Sequence, residues 1–147
     1  MAYTLEEKLQ IDAIKRNKRI IVSAIKVDDW LLLENGYYGV YIRKDKLLLN
    51  PDSLRIFDNM PHLSMEFIEN NYKWAKMTNE AMILANNRIV VKVQEKEGPE
   101  YAWVNLDYLR EFGKNIEVKI LGRTKPIAVY SLGILRGVVL PVMIEDE

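Results

Sequence analysis

A six-residue pattern, Asp-x-Leu-Arg-x-Phe, occurs twice in this chain, at residues 52–57 and again at residues 107–112. Each copy follows an apolar run that ends in asparagine, and each precedes a run in which apolar residues alternate with other residues. The same order of elements at a period of about fifty-five residues is typical of a duplicated supersecondary unit. The alternative is chance, because any two strand–helix junctions can share four residues.

The second copy indicates what one unit contains. Residues 103–112 have the pattern of a strand that turns into a short helix, which Asn105 or Asp107 can cap by accepting a hydrogen bond from a free backbone N–H. Leu106, Leu109 and Phe112 recur every three residues and so share one helical face. Three strands are predicted to follow, over 116–121, 126–131 and 138–144.

The first copy predicts the same order further upstream. A strand at 47–50 would lead into a helix over 52–57, and strands would follow at 63–67 and 72–77. The unit is therefore predicted to consist of a strand, a helix and three strands, and to be present twice.

Elsewhere the sequence predicts one helix and several hairpins. Residues 3–19 carry an apolar stripe, and Thr4 and Glu7 form a capping-box pattern, in which each side chain bonds the other residue's backbone N–H. Further strands are predicted over 20–27, 30–33, 37–42, 88–93 and 101–104, with a polar loop at 95–100. Turns are predicted at Asn35-Gly36, Asn70-Asn71 and Asn86-Asn87, because asparagine and glycine tolerate positive φ.

These elements predict the fold class. A chain of 147 residues, nearly half of them hydrophobic, can bury a substantial core as one domain, 1–147. We predict an α+β domain, with an antiparallel sheet built from hairpins and the helices on one face. Within it, the N-terminal helix and hairpin occupy residues 1–44, the first copy about 45–94 and the second copy about 100–144.

The residue content argues against an enzyme. The absence of cysteine removes disulfides, thiol catalysis and thiolate metal sites. The single histidine, His62, cannot supply the three or four ligands of a typical zinc site, and no nucleophile-elbow sequence supports a serine triad around it. We interpret Asp28-Asp29 as a turn and Glu145-Asp146-Glu147 as an acidic tail. We therefore expect no catalytic residue, no metal and no cofactor.

Hydropathy and charge narrow the location and the partners. No apolar run approaches the roughly twenty residues of a membrane span, and the N-terminus lacks a secretory signal, so we expect a cytoplasmic protein without membrane contact. Twenty-one basic and twenty-one acidic residues give a formal net charge of zero, whereas a dedicated nucleic-acid binder is usually basic. Neutrality still permits local DNA contact, because the distribution of charge decides it.

Residues 104–109, 116–120, 125–129 and 138–144 together resemble the last domain of bacterial sliding clamps, the beta subunit of the replicative DNA polymerase. In that family a strand enters a helix, two strands follow, and the chain closes on a Leu/Met-Pro-Val/Met strand. Clamp domains consist of two β-α-β-β-β halves, which fits the upstream copy, so the resemblance implies a DNA-clamp-like fold of duplicated β-α-β-β-β units. Residues 33–38 look like the family's strand–turn motif, with Asn35 and Tyr38 in place of its Asp and Arg. A clamp chain carries three such domains, and this chain has room for one.

The resemblance implies contact with the backbone of double-stranded DNA, because clamp helices present Lys and Arg to phosphates without reading sequence. The candidates are Arg55 and Arg110, one on each repeat helix, with Lys114 just beyond and with Lys15, Arg16, Lys18 and Arg19 on the N-terminal helix. Two alternatives remain. Arg55 and Arg110 can pair with the aspartates three residues earlier, and the N-terminal cluster can be a solvated last turn or an interface with an acidic partner.

The resemblance also implies an apolar groove for short peptides of replication or host proteins. By position, its residues would be Val138, Val139, Leu140, Pro141, Val142 and Met143. Proline donates no ladder bond, so Pro141 belongs on an edge strand or at a bulge. The alternative is that alternate residues of this strand fill the core.

Two classes of function follow as hypotheses. The first is a non-enzymatic, sliding-clamp-like protein of a phage or mobile-element replication system, acting as a ring of single-domain copies or joined to another clamp. The second is an interaction module with a clamp-like fold, an adaptor or inhibitor without DNA contact, which the zero net charge favours. A third interpretation is an unrelated α+β protein whose repeat is accidental.

Overall fold

The computed structural model describes residues 4, 7–8, 10–11, 15, 21–24, 30–34, 38–43, 46, 48, 55–58 and 63–144, with backbone alone at 21–24, 30–34, 55–58 and 86. Its elements are β1 (Ile21–Ala24), β2 (Trp30–Glu34), β3 (Tyr38–Arg43), β4 (Arg55–Asp58), α1 (Met65–Asn71), β5 (Lys73–Ile83), β6 (Ile89–Glu95), β7 (Tyr101–Asn105), α2 (Leu106–Arg110), β8 (Ile116–Ile120), β9 (Ile127–Ser131) and β10 (Ile134–Val139). A 3-10 turn, Ala85–Asn87, joins β5 to β6.

The described strands form one sheet in the order β4-β1-β2-β3-β10-β9-β8-β5-β6-β7. The neighbours are antiparallel except for the parallel pair β1 and β4. Trp103 of β7 also bridges Val142, just beyond β10, and the Val142 N–H donates to the Trp103 carbonyl at 2.7 Å. The sheet therefore curls until its last strand meets the segment after β10, so that β5 to β10 form a barrel.

The inner face of this curled sheet holds the larger core. Side chains from β3 and from all six barrel strands meet there in one buried cluster. Leu109 and Phe112, each 1% exposed, enter it from α2 and the turn that follows. The Tyr38 ring lies 5.5 Å from Tyr108 and 6.3 Å from Phe112, between ring centroids. The short helix α2 is therefore held by the apolar face that it buries.

The outer face of the sheet carries α1. The Ser64 side chain caps this helix by accepting the Phe67 backbone N–H at 3.1 Å. Its buried residue, Ile68, packs with Tyr41, Tyr72 and Tyr130 in a second cluster. The alternation of β3 and β9 divides their side chains between the two clusters, as expected for strands buried on both faces.

The predicted second copy is confirmed in the order of its elements, but its last strand, predicted over 138–144, is β10 at Ile134–Val139, because Ile134 already pairs with Ser131 of β9. Strand β7, helix α2 and strands β8, β9 and β10 follow in the predicted order, and Asn105 rather than Asp107 caps α2 by accepting the Asp107 N–H at 2.9 Å. The described helical residues near the N-terminus and the Thr4–Glu7 capping box also agree with prediction. Residues 35–37 lie outside the described set, yet β2 and β3 pair antiparallel on either side of them, as the predicted hairpin requires.

The predicted first copy is wrong in its helix and in the strand that follows. Arg55–Asp58 is strand β4, because it pairs in parallel with β1, residue by residue from Ile21 to Ala24. Met65–Asn71 is helix α1, because Ser64 caps it and it covers the outer face. Asn70 and Asn71 end this helix instead of forming a hairpin turn. The duplication of the whole unit is therefore not confirmed.

The placement of the helices on one face is also wrong. Helix α1 packs on the outer cluster, whereas α2 packs into the inner one. Both faces of the sheet are apolar in its middle strands, so each face needs its own cover. The coarser prediction, an α+β domain with a mostly antiparallel sheet, is confirmed.

We expect Gly137→Ala to destabilise the protein strongly. A Cβ at this position would overlap the Gly39 carbonyl oxygen and the Phe112 ring, both fixed by the inner core. Overpacking of this kind costs about 1–3 kcal/mol, measurable by urea unfolding. Gly122→Ala is the matched control, because its Cβ would meet only Glu100 Oε2 at 3.7 Å. Equal stabilities of the two variants would contradict the packing described for Phe112.

Candidate binding cleft

A cleft of about 630 Å³ opens where α2, β5 and β8 meet helical residues from the N-terminal part of the chain. Its described lining consists of an apolar floor, a glycine and three cations: Met77, Leu106, Leu109, Ile116, Gly113, Lys8, Arg110 and Lys114. None of these described lining residues is acidic. The combination of an apolar floor with an excess of positive charge is suited to an anionic ligand that also carries apolar groups.

Two of the cations owe their positions to the way α2 ends. Arg110 is its last residue, and Gly113 follows with φ +103°, a conformation that favours glycine and stops the helix. The Gly113 N–H donates to the Arg110 carbonyl at 3.1 Å, which closes the turn. Leu109 and Phe112 hold the same turn from inside the barrel. Arg110 and Lys114 consequently line one cleft from a fixed piece of backbone.

The third cation, Lys8, comes from the N-terminal part of the chain. Its helical segment begins at the Thr4–Glu7 capping box, in which the Glu7 N–H donates to Thr4 Oγ1 at 3.2 Å. Gln10 is fully buried, and its amide both donates to the Lys46 carbonyl and accepts the Leu48 N–H, each at 2.8 Å. These two bonds tie the segment carrying Lys8 to residues nearly forty positions away.

The cleft lies at the end of the barrel where the β5–β6 and β9–β10 hairpins project, which we call the hairpin end. Both hairpin tips lie beside the start of α2. This follows from three strand pairs: Ile83↔Ile89 and Ile134↔Ser131 at the tips, and Val90↔Asn105, where Asn105 precedes α2. Large apolar side chains are exposed at this end: Met77 51%, Met82 38%, Ile83 74%, Ile89 40%, Leu132 85% and Ile134 44%. Clusters of exposed large apolar side chains are typical of interaction sites when they form a contiguous patch.

One of these exposed residues also has a strained backbone. Leu132 has φ +52° and Gly133 φ +77° at the tip of the β9–β10 hairpin. Glycine and asparagine adopt this left-handed conformation readily, whereas leucine pays about 1–2 kcal/mol for it. An exposed leucine in such a conformation is consistent with a role in binding.

The positive charge of the cleft is not neutralised by neighbours within the described part of the chain. The ion pairs there join Lys92 to Glu80 and Lys119 to Glu69, each at 3.3 Å. Arg110 does not pair with Asp107, so the alternative of a local pair three residues apart is not observed for this residue. The cations of the cleft are therefore able to meet an anionic partner.

A second charged cluster lies on the outer face of the sheet. Lys119, only 7% exposed, contacts Glu69 and lies 4.6 Å from the Trp74 ring centroid. The Tyr130 hydroxyl donates to Glu69 Oε1 at 2.8 Å. Beside it a further cleft of about 630 Å³ has a mixed lining: Lys73, Trp74, Glu95, Lys96, Glu97 and Glu117. Lys119 and Tyr130 both contact Glu69, which stabilises α1 on the sheet. The cleft beside them has a lining of mixed charge and is therefore the weaker candidate.

Comparison with family models, with curated proteins and with solved structures found no match. The resemblance to sliding clamps therefore stays a prediction, and the cleft has to be interpreted from its own chemistry. In the part of the chain that the structure describes, no helix is long and apolar enough to cross a membrane. Within the same part, no three His, Cys, Asp or Glu side chains gather as a metal site would require. His62 and Asp28-Asp29 lie outside the described residues.

The structure distributes the predicted DNA-backbone residues over several places. Arg110 and Lys114 line the cleft. Lys15 is helical and exposed but is not among the described lining residues. Arg55 lies in β4 rather than on a helix, and β1, β2 and β3 separate that strand from the barrel. Arg16, Lys18 and Arg19 lie outside the described residues.

The six residues predicted for the peptide groove do not share one surface. Val138 is buried in the outer cluster and Val139 in the inner one. Leu140 and Met143 are exposed by 47% and 65%, while Pro141 and Val142 are partly buried. Pro141 was predicted on an edge strand or at a bulge, and it lies between the end of β10 and the Val142 bridge, outside the strands of the described sheet. Lys8, Met77, Leu106 and Ile116 of the cleft were not among the predicted site residues.

The tyrosines beneath α1 make the stability sensitive to alkali. Burial raises the pKa of Tyr72 to about 12. Burial, then the hydrogen bond to Glu69 and its charge, raise the pKa of Tyr130, and burial raises that of Tyr41. A raised pKa means that the tyrosine hydroxyl keeps its proton to higher pH in the folded protein than in the unfolded chain. The resulting stabilisation is complete below pH 10 and is lost as the pH rises above it.

We expect the free energy of unfolding to fall by about 1.4 kcal/mol per pH unit for each such tyrosine above about pH 10. Tyr130→Phe should make this decline less steep, because the ring stays against Trp74 and one titrating group is removed. Urea unfolding from about pH 9 to about pH 11 measures the slope. Tyr101→Phe, at a partly exposed tyrosine, is the control. An unchanged slope in Tyr130→Phe would contradict the assignment.

Proposed function

We propose that this chain is a non-enzymatic binding module whose hairpin-end cleft takes an acidic, partly apolar segment of a protein partner. The observation that supports the proposal is the lining of the cleft, where three cations surround an apolar floor without a described carboxylate. This is the interaction-module hypothesis, with the partner surface moved from the strand at 138–143 to the end of α2.

The two parts of the cleft would contribute differently to binding. Burying one leucine or methionine side chain of the partner against Met77, Leu106 and Ile116 is worth about 1.5–3 kcal/mol. Each exposed ion pair with Lys8, Arg110 or Lys114 adds about 0–1 kcal/mol and selects acidic partners. Since association itself costs several kcal/mol, we expect a dissociation constant of micromolar order.

The second candidate function is contact with the DNA backbone, as in a clamp-like protein of a replication system. It is favoured by one observation: two of the residues predicted for this role, Arg110 and Lys114, line the same cleft. Arg55 lies far from them in strand order, and the net charge is zero. Of the described residues predicted for this role, Arg110 and Lys114 alone line the cleft, so the protein partner is preferred.

We expect a short fluorescein-labelled peptide of alternating leucine and glutamate to bind, and the same peptide with lysine for glutamate not to bind. The double variant Arg110→Gln/Lys114→Gln should weaken binding about tenfold, because two of the three cations are lost. Fluorescence anisotropy gives the affinities. Lys73→Gln/Lys96→Gln, which removes two exposed lysines of the outer-face cleft, is the matched control and should bind like the unaltered protein.

The same titration with a labelled DNA duplex separates the two candidates. Binding of the duplex with a steep loss at higher salt, and no binding of the acidic peptide, would contradict the proposal in favour of backbone contact. Equal loss of peptide binding in both double variants would also contradict it, because a non-specific charge effect would then explain the result. Circular dichroism of each variant checks that the fold is kept.

A further inference from the structure

The chain itself contains a segment with the chemistry that the cleft suits. Met143 and Ile144 are followed by Glu145-Asp146-Glu147, so apolar side chains stand directly before three carboxylates. Met143 is 65% exposed. Three cations are among the described lining residues of the cleft, equal in number and opposite in charge to the three carboxylates. Charge and hydropathy are therefore complementary between two parts of one sequence.

The course of the backbone separates this segment from the cleft of the same molecule. At Val142 the chain runs antiparallel to β7, and hence away from the end of β7 at which α2 begins. The cleft lies beside α2, at the hairpin end. The five residues of β7 span about 17 Å, whereas residues 145–147 can extend by about 10 Å at most. An intramolecular contact would require the chain to reverse direction and run the length of the barrel.

We propose that the acidic segment 145–147 of one copy binds the hairpin-end cleft of a second copy, so that copies associate head to tail. This inference rests on the proposed function and names a second copy as a partner of the same cleft. The contact joins two different surfaces, so it leaves one free cleft and one free segment in every dimer. Such heterologous contacts form rings where the rotation closes and open chains where it does not.

The strength of this association should depend on concentration and salt. The charges concerned are exposed, and exposed pairs are individually weak and screened within about 8 Å at physiological ionic strength. Met143 adds apolar contact with the cleft floor. We expect the weight-average mass to rise with protein concentration at low salt and to return towards the monomer when salt is added.

Charge reversal provides the test, by sedimentation velocity and light scattering on the full chain. One variant reverses the cleft, Lys8→Glu/Arg110→Glu/Lys114→Glu, and the other reverses the segment, Glu145→Lys/Asp146→Lys/Glu147→Lys. Each variant alone should be monomeric, because cleft and segment then have the same sign. An equimolar mixture should associate again, since the lysines of one variant meet the glutamates of the other. The lysine pair Lys73→Glu/Lys96→Glu is the control and should behave like the unaltered protein.

Several outcomes would overturn the inference. One is that the unaltered protein stays monomeric at all concentrations. Another is that it associates and that reversing the charge of the cleft or of the segment has no effect. The contact would then lie on other surfaces, such as the exposed hairpin tips. Failure of the mixture to associate would equally count against it, provided that both variants fold by circular dichroism. If the reversed cleft does not fold, Arg110→Gln/Lys114→Gln replaces it and should lower association. Binding of the leucine–glutamate peptide by a strictly monomeric protein would refute the self-association and leave the proposed function standing.

Discussion

The placement of Phe112 inside the curled sheet is the constraint on which the rest of the structure depends. The ring enters the barrel next to Gly137, where any side chain would collide with it. Phe112 and Leu109 together draw the end of α2 into the core, so the barrel interior is filled by side chains and the proposed binding surface is external. The same anchoring fixes the turn at Gly113, and with it the directions from which Arg110 and Lys114 reach the cleft. Core packing and site geometry thus have one cause.

Local signals predicted the elements whose determinants lie close together in sequence. Asn105 caps α2 by a hydrogen bond to a residue two positions later. The alternation of apolar and other side chains along β8 is the pattern of a sheet strand. The repeated pattern failed because Asp-x-Leu-Arg-x-Phe does not by itself specify a helix. At 107–112 its Leu and Phe reach a core that holds them, whereas Arg55–Asp58 joins the ladder of β1, more than thirty residues earlier. The spacing of Met65 and Phe67 is compatible with either a strand or a helix. The segment forms α1 because Ser64 caps its first turn and Ile68 is buried beneath it.

The candidate site was predictable only in the part that one short segment supplies. Arg110 and Lys114 are four residues apart around the end of one helix, so the sequence could pair them. Lys8 joins the cleft because Gln10 bonds residues 46 and 48 and so fixes the N-terminal segment. Met77 joins it because β5 pairs with β8. Both contacts link residues far apart in sequence, and no local sequence pattern predicts them. The strand predicted to line the peptide groove shows a related limit of sequence patterns. Adjacent residues of a strand point to opposite faces, and because both faces here are covered, Val138 and Val139 are buried in different clusters.

The zero net charge of the chain conceals a separation of charge that supports the proposed protein partner over DNA. Positive side chains gather in the hairpin-end cleft, while the acidic run at 145–147 follows a segment that heads away from it. The potential of three exposed cations decays within about 8 Å in physiological salt, so a ligand must enter the cleft to be attracted. A duplex spreads its phosphates along a rod and would engage only a few of them there, which releases few counterions. A short acidic segment places all of its carboxylates inside that range and covers the apolar floor as well, so the geometry of the cleft favours a peptide over DNA.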